Sequence, residues 1–233
     1  MAIKTEMVNV PGPNGNFEAY LAIPEQTPAP GVVVIQEVFG VNPHIRAVTE
    51  RLAQEGYVAI APDLFWPHQH GFQSGYSADE IAVAREIMGK ISLDDSVKDV
   101  EATMKVLRAR PESTDKVGVI GFCWGGLMTY LVAARLNPTA SSSYYGGRTA
   151  SFLDEAKNIS APIIFHFGEE DAGIPLDQVE QVKQAVQSLP NTDVYLYPQA
   201  GHGFHCDMRG SFHEPSAKQA WQRSMDFFKK WLH

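Results

Sequence analysis

Short apolar runs of strand length alternate along this chain with amphipathic stretches of helical length. GVVVIQE at 31–37 is followed by the helical pattern PHIRAVTERLAQEG at 43–56 and then by VAIAPDL at 58–64. This alternation is typical of a mostly parallel sheet whose strands are joined by crossover helices. TEMVNV and FEAYLAIP flank the turn PGPNGN and indicate an antiparallel hairpin. The sequence therefore predicts an α/β fold, a mostly parallel sheet with helices on both faces and an N-terminal antiparallel hairpin.

The later part of the chain continues the pattern. KVGVIG at 116–121 predicts a strand, and a helix is expected just after it through LMTYLVAARL. PIIFHFG at 162–168 and DVYLYP at 193–198 predict the last two strands, separated by a helix from about Pro175 to Leu189. Further helices are expected from Ser77 to about Lys90, where Ser77 and Glu80 form a capping-box signal, from about Ser92 to Arg110, and from Glu214 to Leu232.

Composition limits the classes of partner. The 233 residues are 44% hydrophobic and 20% charged, which fits one globular domain over residues 1–233. The net charge of -8 disfavours nucleic acid and anionic lipid surfaces, because it repels both. No apolar run approaches the roughly 18 residues of a membrane span, and MAIKTEMVNV lacks the pattern of a signal peptide. We expect a cytoplasmic protein with no membrane and no nucleic-acid partner.

The segment GFCWGG at 121–126 matches the nucleophile-elbow pattern G-x-S-x-G, with Cys123 in place of serine. The turn requires small residues, because a side chain at Gly121 or Gly125 is expected to collide with neighbouring backbone. The segment lies between a predicted buried strand and a predicted helix, as the motif requires. A helix N-terminus also favours the thiolate form of a cysteine. A buried structural cysteine is the alternative interpretation.

Two later residues favour the catalytic interpretation. Asp171 follows one predicted strand and His202 follows the next, so the order nucleophile, acid, histidine is that of α/β-hydrolases. The intervals of 48 and 31 residues leave room for strands and crossover helices, so the three side chains are expected to meet at the carboxyl ends of the strands. Glu169 and Glu170 are rival carboxylates. Asp171 is preferred, because the turn AGIP follows it.

A metal site is the other alternative for this region, because His202, His205, Cys206 and Asp207 are close in sequence. Their spacing does not match a known zinc-ligand pattern, and no second Cys/His pair lies at a fitting distance. The two cysteines, Cys123 and Cys206, are too few for a disulfide framework and are expected to be free thiols. The sequence predicts no metal.

Five motifs together give the chain a family resemblance. They are QEVFGVNPHIR, GYVAIAPDLF, GFCWGG, HFGEEDAGIP and AGHGF, and they extend over nearly the whole chain. With them the sequence resembles the dienelactone hydrolase (carboxymethylenebutenolidase) family. The resemblance implies an α/β-hydrolase fold, a triad of Cys123, His202 and Asp171, and no metal or organic cofactor.

The resemblance also assigns supporting residues. Glu37 is implied to be a carboxylate close to the nucleophile that helps to control its ionisation; a solvated carboxylate at a strand end is the alternative. The backbone N–H groups of Val38 and Trp124 are the expected oxyanion donors.

The sequence departs from the family where the substrate carboxylate is held. The two family arginines are matched here by Ile81 and Cys206. Arg85, one helical turn further on, and Arg209, three residues further on, are candidate replacements, with surface charges as the alternative.

These observations predict a hydrolase of small-molecule lactones or carboxylic esters that works through an acyl-thioester on Cys123. Two alternatives stay open: a general carboxylesterase of the same fold that acts on neutral esters, and a non-catalytic thiol-sensing or ligand-binding protein. A serine esterase is set aside, because no G-x-S-x-G pattern occurs in the chain.

Overall fold

The computed structural model describes residues 2–233. Its eight strands are β1 (Lys4–Gly12), β2 (Gly15–Ile23), β3 (Ala29–Ile35), β4 (Val58–Pro62), β5 (Ser113–Phe122), β6 (Ala140–Tyr144), β7 (Ile163–Gly168) and β8 (Thr192–Tyr197). Its six α-helices are α1 (Pro43–Gln54), α2 (Ala78–Met88), α3 (Leu93–Ala109), α4 (Trp124–Leu136), α5 (Leu176–Val186) and α6 (Glu214–Leu232). A 3-10 segment covers Thr149–Asn158.

The strands follow the order β1-β2-β4-β3-β5-β6-β7-β8 in the sheet. The chain divides into two compact units, and the boundary between them lies within β5, between Gly118 and Val119. The order and the strand directions confirm the predicted fold class, an α/β-hydrolase fold with a mostly parallel sheet and an antiparallel N-terminal pair. The prediction of one domain over residues 1–233 stays a prediction.

The first unit begins with the predicted hairpin. β1 and β2 pair antiparallel from Lys4 opposite Ile23 to Gly12 opposite Gly15, and β2 pairs antiparallel with β4. β3 and β4 are parallel, and every residue of both strands is buried. This burial is the reason why their sequences are continuous apolar runs and do not alternate.

The second unit contains three parallel strands in register. Ser141 of β6 lies opposite Ile163 of β7, and Ile163 lies opposite Thr192 of β8. Because the strands are parallel, their carboxyl ends at Tyr144, Gly168 and Tyr197 lie along one edge of the sheet. Loops that leave this edge carry the candidate catalytic residues.

Local sequence signals set the helix boundaries. The capping box predicted at Ser77 is present: Ser77 Oγ accepts from the Glu80 N–H while the Glu80 carboxylate accepts from the Ser77 N–H. Ser92 caps α3 in the same way through the Asp95 N–H. α6 has the predicted bounds, whereas α5 begins at Leu176 with Pro175 as its N-cap, one residue later than expected.

Strand β6 was not predicted. Its sequence ASSSY carries three consecutive serines, and serine is not a residue that favours strands. All five residues are nevertheless buried, and hydrogen bonds satisfy two of the serine hydroxyls: Ser142 Oγ lies 2.9 Å from Ser224 Oγ, and Ser143 donates to the Gly126 carbonyl. Among the residues that the structure describes, no helix combines the length and apolar character needed to cross a membrane.

Candidate active site

Cys123 lies on a sharp turn between the end of β5 and the start of α4. Its backbone angles, φ 57° and ψ −117°, are those of a strained turn and cost a non-glycine residue about 1–3 kcal/mol. Two hydrogen bonds hold the turn: the Cys123 N–H donates to the Tyr144 carbonyl at 3.1 Å, and the Cys123 carbonyl accepts from the Gly126 N–H at 2.9 Å. The strand, strained cysteine and helix form the geometry of a nucleophile elbow.

Close backbone contacts explain the glycines around the turn. A Cβ at Gly121 would collide with the Gly125 carbonyl and with Thr129 Oγ1, as the motif predicts. A Cβ at Gly126 would collide with the Tyr144 carbonyl, which is the acceptor for the Cys123 N–H. The second glycine after the tryptophan therefore lets α4 approach β6 closely.

The structure brings the three predicted triad residues together within the second unit. His202 Nε2 lies 3.1 Å from Cys123 Sγ, and His202 Nδ1 lies 2.7 Å from Asp171 Oδ2. The Asp171 side chain is fully buried and that of His202 is 29% exposed. Glu169 and Glu170, the rival carboxylates, are exposed. The geometry is that of a Cys-His-Asp triad.

A local turn aims the Asp171 carboxylate. Its Oδ1 accepts from the Gly173 N–H at 2.8 Å, and its backbone carbonyl accepts from the Ile174 N–H at 3.1 Å. A hydrogen bond from the AGIP segment thus engages Oδ1 of Asp171, and Oδ2 is left to accept from His202. The turn that favoured Asp171 in the sequence is the structural cause of its orientation.

The charges of the triad favour a protonated His202. Burial lowers the pKa of His202, but the negative charge of the Cys123 sulfur, the hydrogen bonds to Asp171 and Cys123 and the Asp171 charge outweigh it and raise the pKa to about 10. Both ring nitrogens then donate, one to sulfur and one to carboxylate. The raised pKa of His202 favours an imidazolium beside the sulfur at neutral pH.

Tyr145 packs against the histidine. Its ring meets the His202 ring edge to face, with centroids 5.3 Å apart, and its N–H donates to the His166 carbonyl at 2.7 Å. Tyr145 has φ 35°, in the left-handed region that is unusual for an aromatic residue. This conformation turns the ring at the end of β6 toward the triad.

A buried hydrogen-bond network begins at the hydroxyl of Tyr144. Tyr144 Oη lies 2.7 Å from Ser224 Oγ, which lies 3.1 Å from His166 Nε2, and His166 Nδ1 lies 2.8 Å from Tyr197 Oη. Burial and then the Arg223 charge lower the pKa of His166 to about 3, so this histidine is neutral. The network fixes the side chain of the residue whose carbonyl holds the Cys123 N–H.

The remaining predicted residues occupy varied positions. In the first unit, Glu37 and Val38 lie just beyond the end of β3, after Gln36, and are both buried, so Glu37 is not the solvated strand-end carboxylate of the alternative interpretation. Arg85 is exposed on α2. In the second unit, Arg209 is partly buried, and its guanidinium lies against Gly203, the neighbour of His202. Their roles in oxyanion and substrate binding stay predictions.

The residues of the alternative metal site differ in their contacts and in their burial. Both ring nitrogens of His202 face triad partners, and the His205 ring is stacked between two aromatic rings. Cys206 is fully buried while Asp207 is exposed. Cys123 and Cys206 are both free thiols, as expected.

Comparison with known proteins identifies the family. A family model described as the dienelactone hydrolase family matches residues 17–232. The chain belongs to the dienelactone hydrolase family. It is therefore a hydrolase of ester or lactone bonds, as the sequence motifs predict.

Individual relatives agree with this family over nearly their whole length. A protein of Synechocystis sp., provisionally named a carboxymethylenebutenolidase, is 38% identical over 97% of this chain and 97% of its own. A carboxymethylenebutenolidase of a Pseudomonas sp. is 32% identical over 93% of this chain and 91% of its own. The crystal structure of a provisionally named dienelactone hydrolase of Klebsiella pneumoniae is 32% identical, with a TM-score of 0.87, and covers 99% of this chain and 100% of that one.

Sequence reasoning did not find two contributors to this dienelactone hydrolase site, the Tyr144 carbonyl and the aromatic stack around His205. Tyr144 is the last residue of the unpredicted strand β6. The sequence favoured a surface or packing role for His205 over a metal ligand, but no pattern indicated which rings it packs against.

Proposed function

We propose that Cys123 is the nucleophile of this hydrolase and that the reaction passes through an acyl-thioester. The observation that supports the proposal is the continuous contact from Asp171 through His202 to Cys123, with His202 Nε2 3.1 Å from the sulfur. A nucleophile, a base in hydrogen-bond reach and a third group that orients the base are the requirements of covalent catalysis. A thiol sensor needs no such ordered acid and base.

In the first half-reaction the Cys123 thiolate attacks the carbonyl carbon of the ester or lactone. A C–S bond forms, and the C=O electron pair moves onto oxygen to give the tetrahedral oxyanion. When the oxyanion collapses, the C–O bond to the leaving group breaks, and the His202 imidazolium gives its Nε2 proton to the leaving alkoxide. The products of this step are a thioester on Cys123 and an alcohol, which stays attached when the substrate is a lactone.

In the second half-reaction His202, now neutral, takes a proton from water as the water oxygen attacks the thioester carbonyl. A second oxyanion forms and collapses, the C–S bond breaks, and the Cys123 thiolate and a carboxylic acid are released. Asp171 accepts from His202 Nδ1 throughout, so it fixes the ring orientation and stabilises the imidazolium.

The oxyanion needs N–H donors where the negative charge develops. Trp124 is the first residue of α4, so its backbone N–H lies at the positive end of the helix dipole. We assign it as one donor. The second donor that the family resemblance implies is the Val38 N–H, and the same resemblance implies that Glu37 influences the ionisation of the nucleophile.

The substrate is proposed to be a small-molecule lactone or carboxylic ester, with Arg85 and Arg209 as candidate ligands of a substrate carboxylate. The position of the Arg209 guanidinium against Gly203, next to His202, supports this role for Arg209. A preference for neutral esters is the alternative, because Ile81 and Cys206 replace the family arginines. No metal or organic cofactor takes part in the proposed steps.

Turnover of p-nitrophenyl acetate by single-cysteine variants tests the nucleophile. Cys123→Ala should lose at least about a hundredfold in kcat, because removal of the nucleophile from a triad costs far more than most substitutions. Cys206→Ala is the matched control and should keep most of the activity. A folded Cys123→Ala variant with more than about a hundredth of the wild-type rate would sink the assignment.

A further inference from the structure

The ring of His205 lies in an aromatic stack close to Cys123 and His202, the proposed nucleophile and base. It is stacked on Phe122, with centroids 5.2 Å apart and planes at 26°, and on Trp221 of α6, with centroids 5.7 Å apart and planes at 27°. His205 is 4% exposed. These contacts define the His205 stack: Phe122, His205 and Trp221.

Two rings of the stack, Phe122 and His205, are close in the chain to residues of the proposed triad. Phe122 immediately precedes Cys123 at the end of β5, so its ring position is tied to the elbow. His205 follows His202 by three residues, and the Cys206 N–H donates to the Gly203 carbonyl at 2.9 Å, which closes a turn between them. The stack therefore transmits the position of the Cys123 backbone to the loop that carries His202.

Tyr144 adds a third connection. Its ring meets the His205 ring edge to face at 5.2 Å, and its carbonyl accepts from the Cys123 N–H. Among the described residues, the loop between β8 and α6 contains no regular helix or strand, so it is held by ring packing and by turn hydrogen bonds such as that from the His213 N–H to the Phe204 carbonyl. The packing of the His205 ring is therefore placed to influence the 3.1 Å separation between sulfur and Nε2.

We propose that His205 is a positioning residue that holds His202 at hydrogen-bond distance from Cys123 through its stacked ring. In this role it acts through His202 and not directly on the substrate or the reacting atoms. Its role rests on the proposed function of Cys123 and His202, and it depends on the shape of a flat ring and not on acid-base or metal chemistry of the imidazole.

Three variants separate ring shape from nitrogen chemistry. His205→Ala removes the ring, His205→Phe keeps a flat ring without nitrogens, and His205→Gln keeps a polar group without the ring. We expect His205→Ala and His205→Gln to lower kcat on p-nitrophenyl acetate by about ten- to a hundredfold, because small misplacements of catalytic groups have effects of this size. KM should change by less than about threefold, and His205→Phe should return kcat to within about threefold of wild type.

Stability and labelling measurements complete the test. Met225→Ala, a buried substitution on α6, is the control for loss of stability alone and should lower Tm without lowering kcat.

The rate of Cys123 alkylation by iodoacetamide reports on the sulfur–imidazole pair whether or not turnover uses Cys123. It therefore tests the role of the His205 stack even if Cys123→Ala stays active and the proposed function fails. We expect slower alkylation in His205→Ala and recovery in His205→Phe. Wild-type kcat and alkylation in folded His205→Ala, or rescue by Gln but not by Phe, would overturn the proposal.

Discussion

Cys123 Sγ and His202 Nε2 are 3.1 Å apart, and the second nitrogen of the same ring is 2.7 Å from Asp171. The imidazole thus lies between two groups that carry or acquire negative charge. A proton on the ring satisfies both contacts at once, which is the physical reason for the raised pKa of His202. In the proposed reaction this pair supplies a nucleophilic sulfur and a proton donor for the leaving group.

This relationship predicts the alkaline limit of activity. Leaving-group protonation requires the imidazolium, and His202 loses its proton only as the pH rises through its pKa of about 10. We therefore expect kcat/KM to stay high above neutral pH and to fall through about pH 10, since kcat/KM reports the pKa values of the free enzyme. A pH series on a non-ionising ester measures it. A fall centred on the ordinary histidine value of about 6.5 would contradict the ion-pair account.

Replacement of Asp171 by asparagine tests the orienting carboxylate. Asp171→Asn keeps the shape of the side chain but removes the charge that stabilises the protonated ring, so kcat should fall by about a hundredfold or more. Glu170→Gln, the same change at the exposed neighbour, is the control and should resemble wild type. Equal kcat values for the two variants would show that the choice of Asp171 is wrong.

The packing of the elbow predicts that two glycines differ in their tolerance of substitution by alanine. Gly121→Ala places a Cβ against the Gly125 carbonyl and Thr129, so it should lower the free energy of unfolding by about 1–3 kcal/mol and reduce activity. Gly147→Ala is the matched control, because a Cβ there has nothing within 4 Å. Urea unfolding measures both. If Gly121→Ala is as stable as Gly147→Ala, the proposed packing of the turn fails.

The candidate arginines are tested with a matched pair of substrates, a lactone that bears a carboxylate and its methyl ester. A guanidinium binds a carboxylate through paired charge-assisted hydrogen bonds, so Arg209→Ala and Arg85→Ala should each lower kcat/KM for the acid by about tenfold or more and leave the ester unchanged. The preference for the acid should weaken with salt. Identical acid-to-ester ratios in wild type and both variants would reject these arginines and favour neutral esters.

The sequence was sufficient for the parts of the fold that carry strong local signals. Continuous apolar runs identified β3 and β7, and the capping box at Ser77 located the start of α2 within one residue. The proximity of Cys123, Asp171 and His202 was also accessible, because each follows a predicted strand and parallel strands end at one edge of the sheet. Their catalytic roles stay predictions.

Features that depend on tertiary contacts were not accessible. Two of the buried serines of β6 have distant partners: Ser142 shares a hydrogen bond with Ser224, 82 residues later on α6, and Ser143 donates to the Gly126 carbonyl. The position of His205 between Phe122 and Trp221 depends on a loop without regular structure. Neither arrangement has a periodic sequence pattern, so propensity and spacing favoured other interpretations.

Direct detection of the acyl-enzyme tests the central claim, that Cys123 forms a covalent thioester. Rapid mixing of the wild-type protein with a slowly deacylating p-nitrophenyl ester should give a burst of nitrophenol close to one equivalent per chain. Intact-protein mass spectrometry of the quenched sample should show one added acyl group, and peptide mapping should place it on Cys123 and not on Cys206. The Cys123→Ala variant should show neither burst nor adduct. An adduct on another residue would contradict the account. So would wild-type turnover without burst or adduct, together with a Cys123→Ala variant that is equally active.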